Sequence, residues 1–576
     1  MSSNNRYVTG YVLLILTVLM SSCDQQLVST DELLGADTVF RNGKIYTVDR
    51  NRTWAEALAI KDGRITYVGS DEDVLTLIGS NTDVIDLGAR MMLPGLQDVH
   101  IHPIWGGVEA SACDLNGLPG VTEYRSAISE YAAANPNVEW ILGGGWSMPV
   151  FGPGGAPNRS IIDELVPDRP VFLTSADGHS GWANSRALEI AGITSNTPDP
   201  IDGRIDRDPK TGEPIGSLQE GATTLVTDHI PPTTLAVRKA GLHYAMNMLN
   251  GYGITSIQAA MVTSDELEAY QSIERQGELN LRVVASLWWE REKGLEQVEY
   301  LETLRTQYKS DLIRPTTVKI MQDGVMENYT AALLEPYFVP SNTRGIPMVE
   351  PELLKSAVTA LDASGFQIHF HAIGDAAIRQ ALNAVEESIY ENGQLGHRHH
   401  ISHLQLINPE DIERFAELSV VANFQPLWAY TDDYITDLTA PFLGDKRMRW
   451  MYPIRSIQKS GGMIAFGSDW SVSTANPFHQ METAITRMSA IEETEAEPLV
   501  IEERIDRETA IEAFTINAAY VNRSEHETGS IEVGKYADLI VLTQNLFEVN
   551  ELDISETKVM LTLFEGRVVH GNISEF

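Results

Sequence analysis

The feature that most constrains the fold is an alternation of short apolar segments with amphipathic ones between residues 93 and 525. Helices are predicted at 122–134, 234–250, 264–276, 351–364, 375–390 and 409–417. Strands are predicted at 96–101, 171–175, 254–258, 281–286, 317–322, 367–371, 399–403, 420–424 and 463–467. This alternation is typical of a parallel sheet covered by helices, and its length suits a (β/α)8 TIM barrel of the α/β class.

Other regions of the chain depart from this alternation. The segment 135–230 is rich in Gly, Pro and Asp, and we predict that it forms an insertion or lid after the first barrel strand. The two ends, 37–92 and 526–576, carry short strands, and Asn42-Gly43 and Asp62-Gly63 are typical of hairpin turns. We therefore predict that both ends build one composite β-sandwich beside the barrel of 93–525. A chain of 576 residues is long enough for several domains.

The beginning of the chain has the pattern of an export signal. An apolar run from Tyr11 to Met20 is too short for a typical spanning helix, and Ser21-Ser22-Cys23 resembles a bacterial lipoprotein processing site. We expect a signal peptide over 1–23, a lipidated Cys23 that anchors the protein to a membrane, and a tether over 24–36. The expected location is the periplasmic face of the cell envelope, with Asp24 favouring the inner membrane. An ordinary cleaved signal or an uncleaved anchor is the alternative.

Charge and cysteine content exclude several classes of function. The net charge of −38 repels phosphate backbones, so the protein is not expected to bind nucleic acid. Only Cys113 accompanies Cys23, so a processed Cys23 leaves no intramolecular disulfide and no thiolate cluster. Any metal site must therefore use His, Asp, Glu or Lys.

Candidate metal ligands recur where the predicted strands end. His100 and His102 are one residue apart, so both side chains face the same side of their strand. Later strands carry Lys319 with Asp323, His369 with His371, His403 and Asp469. Because barrel enzymes place their chemistry at the carboxyl ends of the strands, this order predicts a divalent metal site. For Lys319 the alternative is a side chain that reaches a carboxylate at the rim.

The order of ligands resembles the amidohydrolase superfamily of metal-dependent hydrolases. More narrowly, the chain is similar to the YtcJ-like amidohydrolases, a group that includes N-substituted formamide deformylases. The similarity extends from about residue 37 to the end of the chain. Beyond the ligands it rests on Asp177-Gly-His-Ser-Gly-Trp-Ala-Asn-Ser-Arg-Ala-Leu188, Gly212-Glu-Pro-Ile-Gly-Ser-Leu-Gln-Glu220, His371-Ala-Ile-Gly-Asp375 and Gly529-Ser-Ile-Glu-Val-Gly-Lys-Tyr-Ala-Asp-Leu-Ile540.

The resemblance implies a role for each ligand. The metal ligands would be His100, His102, Lys319, His371, His403 and Asp469. Lys319, carboxylated by CO2, would bridge the more buried ion to a second ion held by His371 and His403. Asp469 would act as general base and then as acid, while the second ion or His403 would polarise the substrate carbonyl. Zinc is the expected ion, with iron, manganese and nickel as alternatives that suit the same ligands, and a bound divalent ion brings the pKa of water to about 7.

Two departures from the family pattern leave the metal count at one or two ions. Ser402 precedes His403 where the family often carries Glu, which changes a partner of the ligands. Met-Gln-Asp-Gly also follows the lysine strand where aromatic or small residues are commoner.

The remaining candidates contact the substrate: Trp146, His179, Trp182, Asp323 and Arg447. Aromatic side chains on the insertion would line a lid that excludes water, and the alternative is a packed structural insertion. Arg447 belongs to a basic cluster that could meet a substrate carboxylate or pair with neighbouring acids.

The sequence therefore predicts a hydrolase of small molecules that cleaves a non-peptide C–N bond by attack of metal-bound hydroxide. The expected substrate is an acyclic amide or an N-substituted formamide. The alternatives are a cyclic amide, lactone or ester hydrolase of the same superfamily, or a periplasmic binding lipoprotein without turnover. Sandwich domains of this kind often support dimers, so a homodimer is expected.

Overall fold

The computed structural model describes residues 35–338, 342–492 and 496–576. The expected signal peptide, Cys23 and nearly all of the tether lie outside the described residues. Within those three ranges, no helix combines the length and the apolar character needed to cross a membrane.

The centre of the molecule is an eight-stranded parallel sheet whose strands are neighbours in chain order. In that order the strands are Leu96–Ile101, Ile254–Val262, Arg282–Trp288, Ile313–Met321, Gln367–Ala372, His400–His403, Val421–Phe424 and Ile464–Phe466. Just beyond the eighth strand, the Asp469 amide donates to the His100 carbonyl at 2.8 Å and draws the first and last strands together. The predicted TIM barrel is confirmed.

Helices follow the strands as the alternation predicted. The α-helices of six residues or more outside the insertion are Pro103–Glu109, Leu235–Gly251, Ser264–Arg275, Val298–Tyr308, Pro351–Ala363, Asp375–Asn392, Ile412–Glu417, Ile454–Lys459, Pro477–Thr486, Arg507–Ala513 and Ile516–Val521. Thr263 starts one of them with a capping box that Glu266 completes. Every residue of the first and fifth strands is buried, as expected for strands between a filled barrel and its helices.

Strands from both ends of the chain share one sheet. Its order is Arg567–Gly571, Val559–Phe564, Leu539–Leu542, Met91–Pro94, Lys44–Tyr46 and Trp54–Ala55. A second sheet holds Arg64–Gly69, Ala57–Lys61, Thr38–Arg41 and Asp83–Asp86. Both sheets contribute to one hydrophobic core, with Phe40 and Leu58 from the second sheet packed among Met92 and Leu539 from the first.

One of the two predicted hairpins is present and the other is not. Asp62-Gly63 joins antiparallel strands in which Lys61 pairs with Arg64, and both turn residues have positive φ as a tight hairpin requires. Asn42-Gly43 instead carries the chain from one sheet to the other. The prediction was wrong because a turn dipeptide reverses or redirects the chain without specifying the partner strand.

The insertion begins earlier than predicted. Its six-stranded sheet contains Cys113–Asp114, Ile141–Trp146, Val171–Ser175, Ser180–Ala183, Gly203–Arg207 and Pro214–Glu220, with helices at Val121–Ala134, Ser160–Leu165 and Ser185–Ile190. The helix Val121–Ala134 packs its apolar face, including Tyr124 and Ile128, into the core of this sheet. The insertion therefore starts at Cys113 and not at residue 135.

Candidate metal centre

The carboxyl ends of the barrel strands bring all six predicted ligands together. His100 and His102 project from the end of the first strand towards the carboxylate that follows the eighth. Asp469 Oδ1 lies 3.3 Å from His100 Nε2 and 3.1 Å from His102 Nε2. The spacing of two residues within one strand produces this convergence, because alternate side chains share a face.

The fifth and sixth strands supply two further imidazoles. The ring centroids of His371 and His403 are 4.3 Å apart, and those of His100 and His403 are 4.7 Å apart. His403 Nδ1 lies 3.9 Å from Asp469 Oδ2. His403 and Asp469 both have left-handed backbones, with φ of 80° and 55°. Such strain is unusual in residues other than glycine and is found where a fold must aim a side chain.

Lys319 reaches the same point from the fourth strand. Its side chain is buried, and Nζ lies 3.3 Å from His100 Nε2. Burial lowers the pKa of Lys319 to about 7, against a smaller opposing effect of the Asp469 charge. An amine with this pKa is substantially unprotonated at neutral pH, which is the form that reacts with CO2.

The protonation states of the cluster suit a cation. Burial lowers the pKa of His100 to about 3 and holds the pKa of His371 and of His403 well below the usual value. Burial alone would raise the pKa of Asp469, but the neighbouring His100 and His102 outweigh it and hold that pKa low. The result is a set of neutral imidazoles around a carboxylate, which are the forms that bind divalent metals.

Unpartnered atoms mark where the ion would be held. Both ring nitrogens of His403 are buried without a hydrogen-bond partner among the described residues, while Asp469 Oδ1 is approached by two imidazole nitrogens. One ligand atom from each of His100, His403 and Asp469 lies within 4.8 Å of the other two. Buried polar atoms are rarely left unpaired, so this arrangement fits a bound divalent ion.

A histidine below the centre fixes the orientation of His100. His369 Nε2 lies 2.9 Å from His100 Nδ1, which leaves His100 Nε2 for the centre. His369 is held in turn by Ser402 Oγ at 2.8 Å and by Ser286 Oγ at 3.0 Å. Ser402, the departure from the family pattern, therefore contacts a partner of a ligand and not the centre itself.

Comparison with known proteins agrees with this centre. The sequence pattern of the amidohydrolase family matches residues 83–570. The chain belongs to the amidohydrolase family. Protein LONG AFTER FAR-RED 3 of Arabidopsis thaliana is 32% identical over 549 residues, which cover 93% of this chain and 92% of that protein. The N-substituted formamide deformylase of Arthrobacter pascens is 25% identical over 541 residues, covering 92% and 97%.

A solved structure shows the same fold. An uncharacterized metal-dependent hydrolase from Pyrococcus furiosus superimposes with a TM-score of 0.68 at 25% identity, covering 89% of this chain and 100% of that one. The protein is thus a metal-dependent hydrolase of the amidohydrolase superfamily, a class that acts on small molecules.

In this amidohydrolase the insertion also reaches the centre. His179 lies in the loop between two insertion strands, and its ring centroid is 5.2 Å from that of His371. His179 Nδ1 lies 2.9 Å from Glu220 Oε2. Burial alone would lower the pKa of His179, but the Glu220 carboxylate outweighs it and raises that pKa to about 9.

The two tryptophans predicted to line the lid lie elsewhere. Trp146 and Trp182 are fully buried in the core of the insertion, with ring centroids 6.3 Å apart. Trp146 Nε1 donates to the Leu173 carbonyl at 2.9 Å. The structural alternative therefore describes them, because an apolar core is the most stable place for such large side chains. Partly exposed tryptophans beside the ligands are Trp105, whose ring centroid is 5.7 Å from that of His102, and Trp428, which stacks on His403.

Asp323 and Arg447 also have structural partners. Asp323 accepts hydrogen bonds from the backbone amides of Ala332, Ile373 and Gly374, so it holds the loops after the fourth and fifth strands. The guanidinium of Arg447 donates to four backbone carbonyls: those of Glu335, Pro336, Phe442 and Leu443. Among the described residues, Arg447 therefore forms no salt bridge with an acid, and backbone carbonyls bind its guanidinium.

Sequence reasoning named His369 without giving it a role, and it did not identify Glu220 as a partner of the site. His369 shares a strand face with His371, so its inward orientation follows from the same alternation. Glu220 ends one of the motifs that carried the family resemblance, but no local pattern pairs it with His179, because the two are 41 residues apart.

Proposed function

We propose that this hydrolase cleaves a non-peptide C–N bond in a small molecule, an acyclic amide or an N-substituted formamide. The observation that carries the proposal is the convergence of one carboxylate, Asp469, with imidazoles from three strands at the barrel mouth, those of His100 and His102, of His371 and of His403. The similarity to an N-substituted formamide deformylase over 92% of the chain supports the choice of bond.

The residues divide the chemistry between binding and proton transfer. A divalent ion, held by the six ligands, would supply a Lewis acid that activates water and stabilises developing negative charge. Asp469 accepts the proton of the attacking water and then donates it to the departing nitrogen. His403 is placed to bind the ion or to donate a hydrogen bond to the substrate carbonyl. Burial of the whole cluster strengthens each of these interactions.

We further propose zinc as the ion and a carbamate on Lys319 as the bridge between two ions. Support comes from the burial of Lys319 and from its position between ligands of both proposed ions, since Nζ lies beside His100 and its strand neighbours that of His371. Without a carbamate, Lys319 has no negative charge to offer and the site holds one ion.

The test is to assay metal-loaded protein lacking residues 1–23 against matched amides, formamides, lactones and esters. Release of amine from amides or formamides, abolished by a chelator and restored by zinc, is the expected result. Turnover confined to lactones, esters or cyclic amides would contradict the C–N assignment but keep the hydrolase. Binding without any product would favour the non-catalytic lipoprotein.

We also propose that the protein is exported and anchored through a lipidated Cys23 at the periplasmic face, and that it forms a homodimer. The support is the sequence around residues 11–23 and the composite sandwich. Fractionation and mass spectrometry of the intact protein beside Cys23→Ser would detect the lipid. Sedimentation of the protein lacking residues 1–23 would give its oligomeric state.

A further inference from the structure

The helix Pro103–Glu109 packs against the loop that carries Asp469. This helix begins directly after the ligand His102, which is its N-cap residue. A Cβ on Gly106 of the helix would lie 2.7 Å from the indole of Trp470, so glycine lets the indole pack closely here. The His102 amide donates to the Trp470 carbonyl at 2.9 Å. The residue after Asp469 is therefore held both by the backbone of His102 and by the helix that follows it.

The last residue of this helix holds the next residue of the loop through its side chain. Glu109 Oε2 accepts a hydrogen bond from Ser471 Oγ at 2.6 Å. Glu109 Oε1 lies against the insertion, since a Cβ on Gly144 would approach it to 2.4 Å. That Cβ would also lie 2.7 Å from the Thr174 carbonyl, so the insertion strand needs glycine at this point. The Glu109 carboxyl group thus joins the barrel helix, the insertion and the loop of Asp469.

Glu109 is a buried acid without a cationic partner. Its exposed fraction is 8%, and among the described residues it forms no salt bridge. Burial raises the pKa of Glu109, and the hydrogen bond from Ser471 opposes this rise. A buried carboxyl group without a cation stabilises a fold less than a well-packed apolar side chain does. Stability alone therefore does not account for an acid at this position, whereas its hydrogen bond to the loop does.

The loop needs such support because the backbone of Asp469 is strained. Asp469 has φ of 55°, a left-handed conformation that residues other than glycine keep only where surrounding contacts impose it. Its amide donates to the His100 carbonyl and its carbonyl accepts from the Val472 amide, both at 2.8 Å. Ser471 lies within the turn that the bond between Asp469 and Val472 closes. A hydrogen bond to the Ser471 side chain therefore fixes this turn from outside.

We propose that Glu109 is a positioning residue for the general base, and that it acts through Ser471 by holding the turn that orients the Asp469 carboxylate. This inference rests on the proposed role of Asp469 in moving a proton from water to the departing nitrogen. A carboxylate that can turn away from the water and the leaving group loses the geometry that proton transfer requires. Among the described residues, Glu109 forms no hydrogen bond or salt bridge with a metal ligand, so its effect passes through the turn.

The experiment compares Glu109→Ala, Ser471→Ala, the double variant and Glu109→Gln. We expect each single alanine variant to lower kcat about 10-fold, with KM and metal content little changed. The double variant should lose no more than either single one, because both substitutions remove the same hydrogen bond. Glu109→Gln keeps an oxygen that accepts from Ser471 and should recover most of the loss. Additive losses, or no recovery in the glutamine variant, would overturn the proposal.

A matched control is Glu274→Ala. Glu274 Oε1 accepts from Ser310 Oγ at 2.5 Å, so this variant also breaks a hydrogen bond between a helix glutamate and a loop serine. Ser310 precedes the fourth barrel strand, Ile313–Met321, so the pair lies at the amino ends of the strands, opposite the ligands. We expect its kcat and metal content to equal those of the wild type. A loss of kcat as large as that of Glu109→Ala would contradict a specific role for Glu109.

The leaving group gives a readout that a general loss of stability does not change. Two substrates with the same acyl group are compared, one that releases a basic alkylamine and one that releases a weakly basic nitroaniline. Glu109→Ala should lose more kcat on the alkylamide, because a basic nitrogen has the greater need of a proton as it departs. Equal losses on both substrates, or loss of bound metal, would refute the positioning role.

The same comparison separates this inference from the proposed choice of bond. If the wild type hydrolyses only esters, the C–N proposal fails, and alkyl and nitrophenyl esters of one acid test Glu109 in the same way.

Hydrogen exchange tests the turn without any substrate. With and without bound metal, peptides that cover residues 468–473 should exchange faster in Glu109→Ala and Ser471→Ala than in the wild type. Glu109→Gln should match the wild type. Unchanged exchange in both alanine variants would show that the hydrogen bond does not hold the turn. Ser471→Ala removes only a hydroxyl group, so it decides the outcome if Glu109→Ala does not fold.

Discussion

Two clusters of histidines and a carboxylate lie at opposite ends of the same barrel, and they differ in what their polar atoms do. At the carboxyl ends of the strands, Asp469 meets three imidazoles, and within the described ranges both ring nitrogens of His403 lack hydrogen-bond partners. At the amino ends, Asp362 Oδ1 accepts from His397 Nδ1 at 2.7 Å and His399 Nε2 at 3.1 Å, and Asn392 donates to Oδ2 at 2.8 Å.

In the cluster around Asp362, His399 has no free nitrogen lone pair with which to bind a metal ion. The Ile368 amide donates to His399 Nδ1 at 3.0 Å, so the ring proton is on Nε2 and points at Asp362. A neutral imidazole has one lone pair, and here the backbone uses it. The same residue types, with ligand atoms within 4.8 Å of one another in both clusters, therefore build a cation site in one place and a structural hydrogen-bond network in the other.

The largest expected effect separates the two clusters by metal content. His100→Ala removes a ligand that faces Asp469 and should lose bound metal. His397→Ala changes a histidine of the structural cluster and should retain it. Elemental analysis after dialysis against buffer without chelator measures both variants. Metal loss from His397→Ala would show that the cluster around Asp362 also binds metal, which would contradict its structural role.

Asp469→Asn tests whether the carboxylate acts mainly in proton transfer. The amide keeps the size of the side chain and one oxygen donor, so most of the metal should remain. Loss of the general base and acid should lower kcat by about 10²- to 10⁴-fold. Parallel measurements of kcat and metal content decide the role, and equal loss of metal in Asp469→Asn and His100→Ala would reduce Asp469 to a ligand.

Lys319→Met tests whether the site holds one ion or two. If a carbamate bridges two ions, methionine should lower the metal content by about one equivalent and abolish a carbamate signal in 13C NMR with labelled bicarbonate. An unchanged metal content would assign Lys319 a structural role and the site a single ion.

Of these variants, Asp362→Asn should have the smallest effect. It should change the free energy of unfolding and leave turnover and metal content unaltered. Burial by itself would raise the pKa of Asp362, but hydrogen bonds from His397, His399 and Asn392 outweigh it and hold the pKa below the ordinary value of 3.8. The ionised carboxylate therefore stabilises the folded protein above that value, and this contribution is lost as pH falls through the lowered pKa.

We expect Asp362→Asn to lower the free energy of unfolding by about 1–3 kcal/mol at neutral pH. Its difference from the wild type should narrow as the pH is lowered below about 4. Denaturant unfolding at several pH values measures both effects. A difference that is constant with pH would show that the Asp362 charge is not involved.

The barrel and its ligands were more predictable than the rest, for a physical reason. Strand alternation places His100 with His102, and parallel strands end at one rim, so local patterns there determine a shared location. The same alternation extends to His369. The insertion has no such rule: Trp146 and Trp182 carry no local signal that separates a lid from a core, and Glu220 meets His179 only through the folded sheet.

The turn dipeptides show the same limit within one domain. Asp62-Gly63 closes a hairpin because its flanking strands pair with each other. Asn42-Gly43 shares only the positive φ of its first residue, 54° at Asn42 against 50° at Asp62, because Gly63 has a positive φ and Gly43 does not. The strands that flank Asn42-Gly43 find partners in two different sheets. Backbone preference sets the shape of a turn, and distant strands decide what it connects.

The sheet shared by both ends of the chain also determines the order of assembly. Met91–Pro94, which leads directly into the first barrel strand, pairs with Leu539–Leu542. During synthesis, the edge of Met91–Pro94 that pairs with Leu539–Leu542 stays unpaired until almost the whole chain has been made. Contacts so distant in sequence slow folding and prolong the exposure of apolar strands. The protein is therefore expected to depend on chaperones more than a barrel whose flanking domain is encoded in one continuous segment.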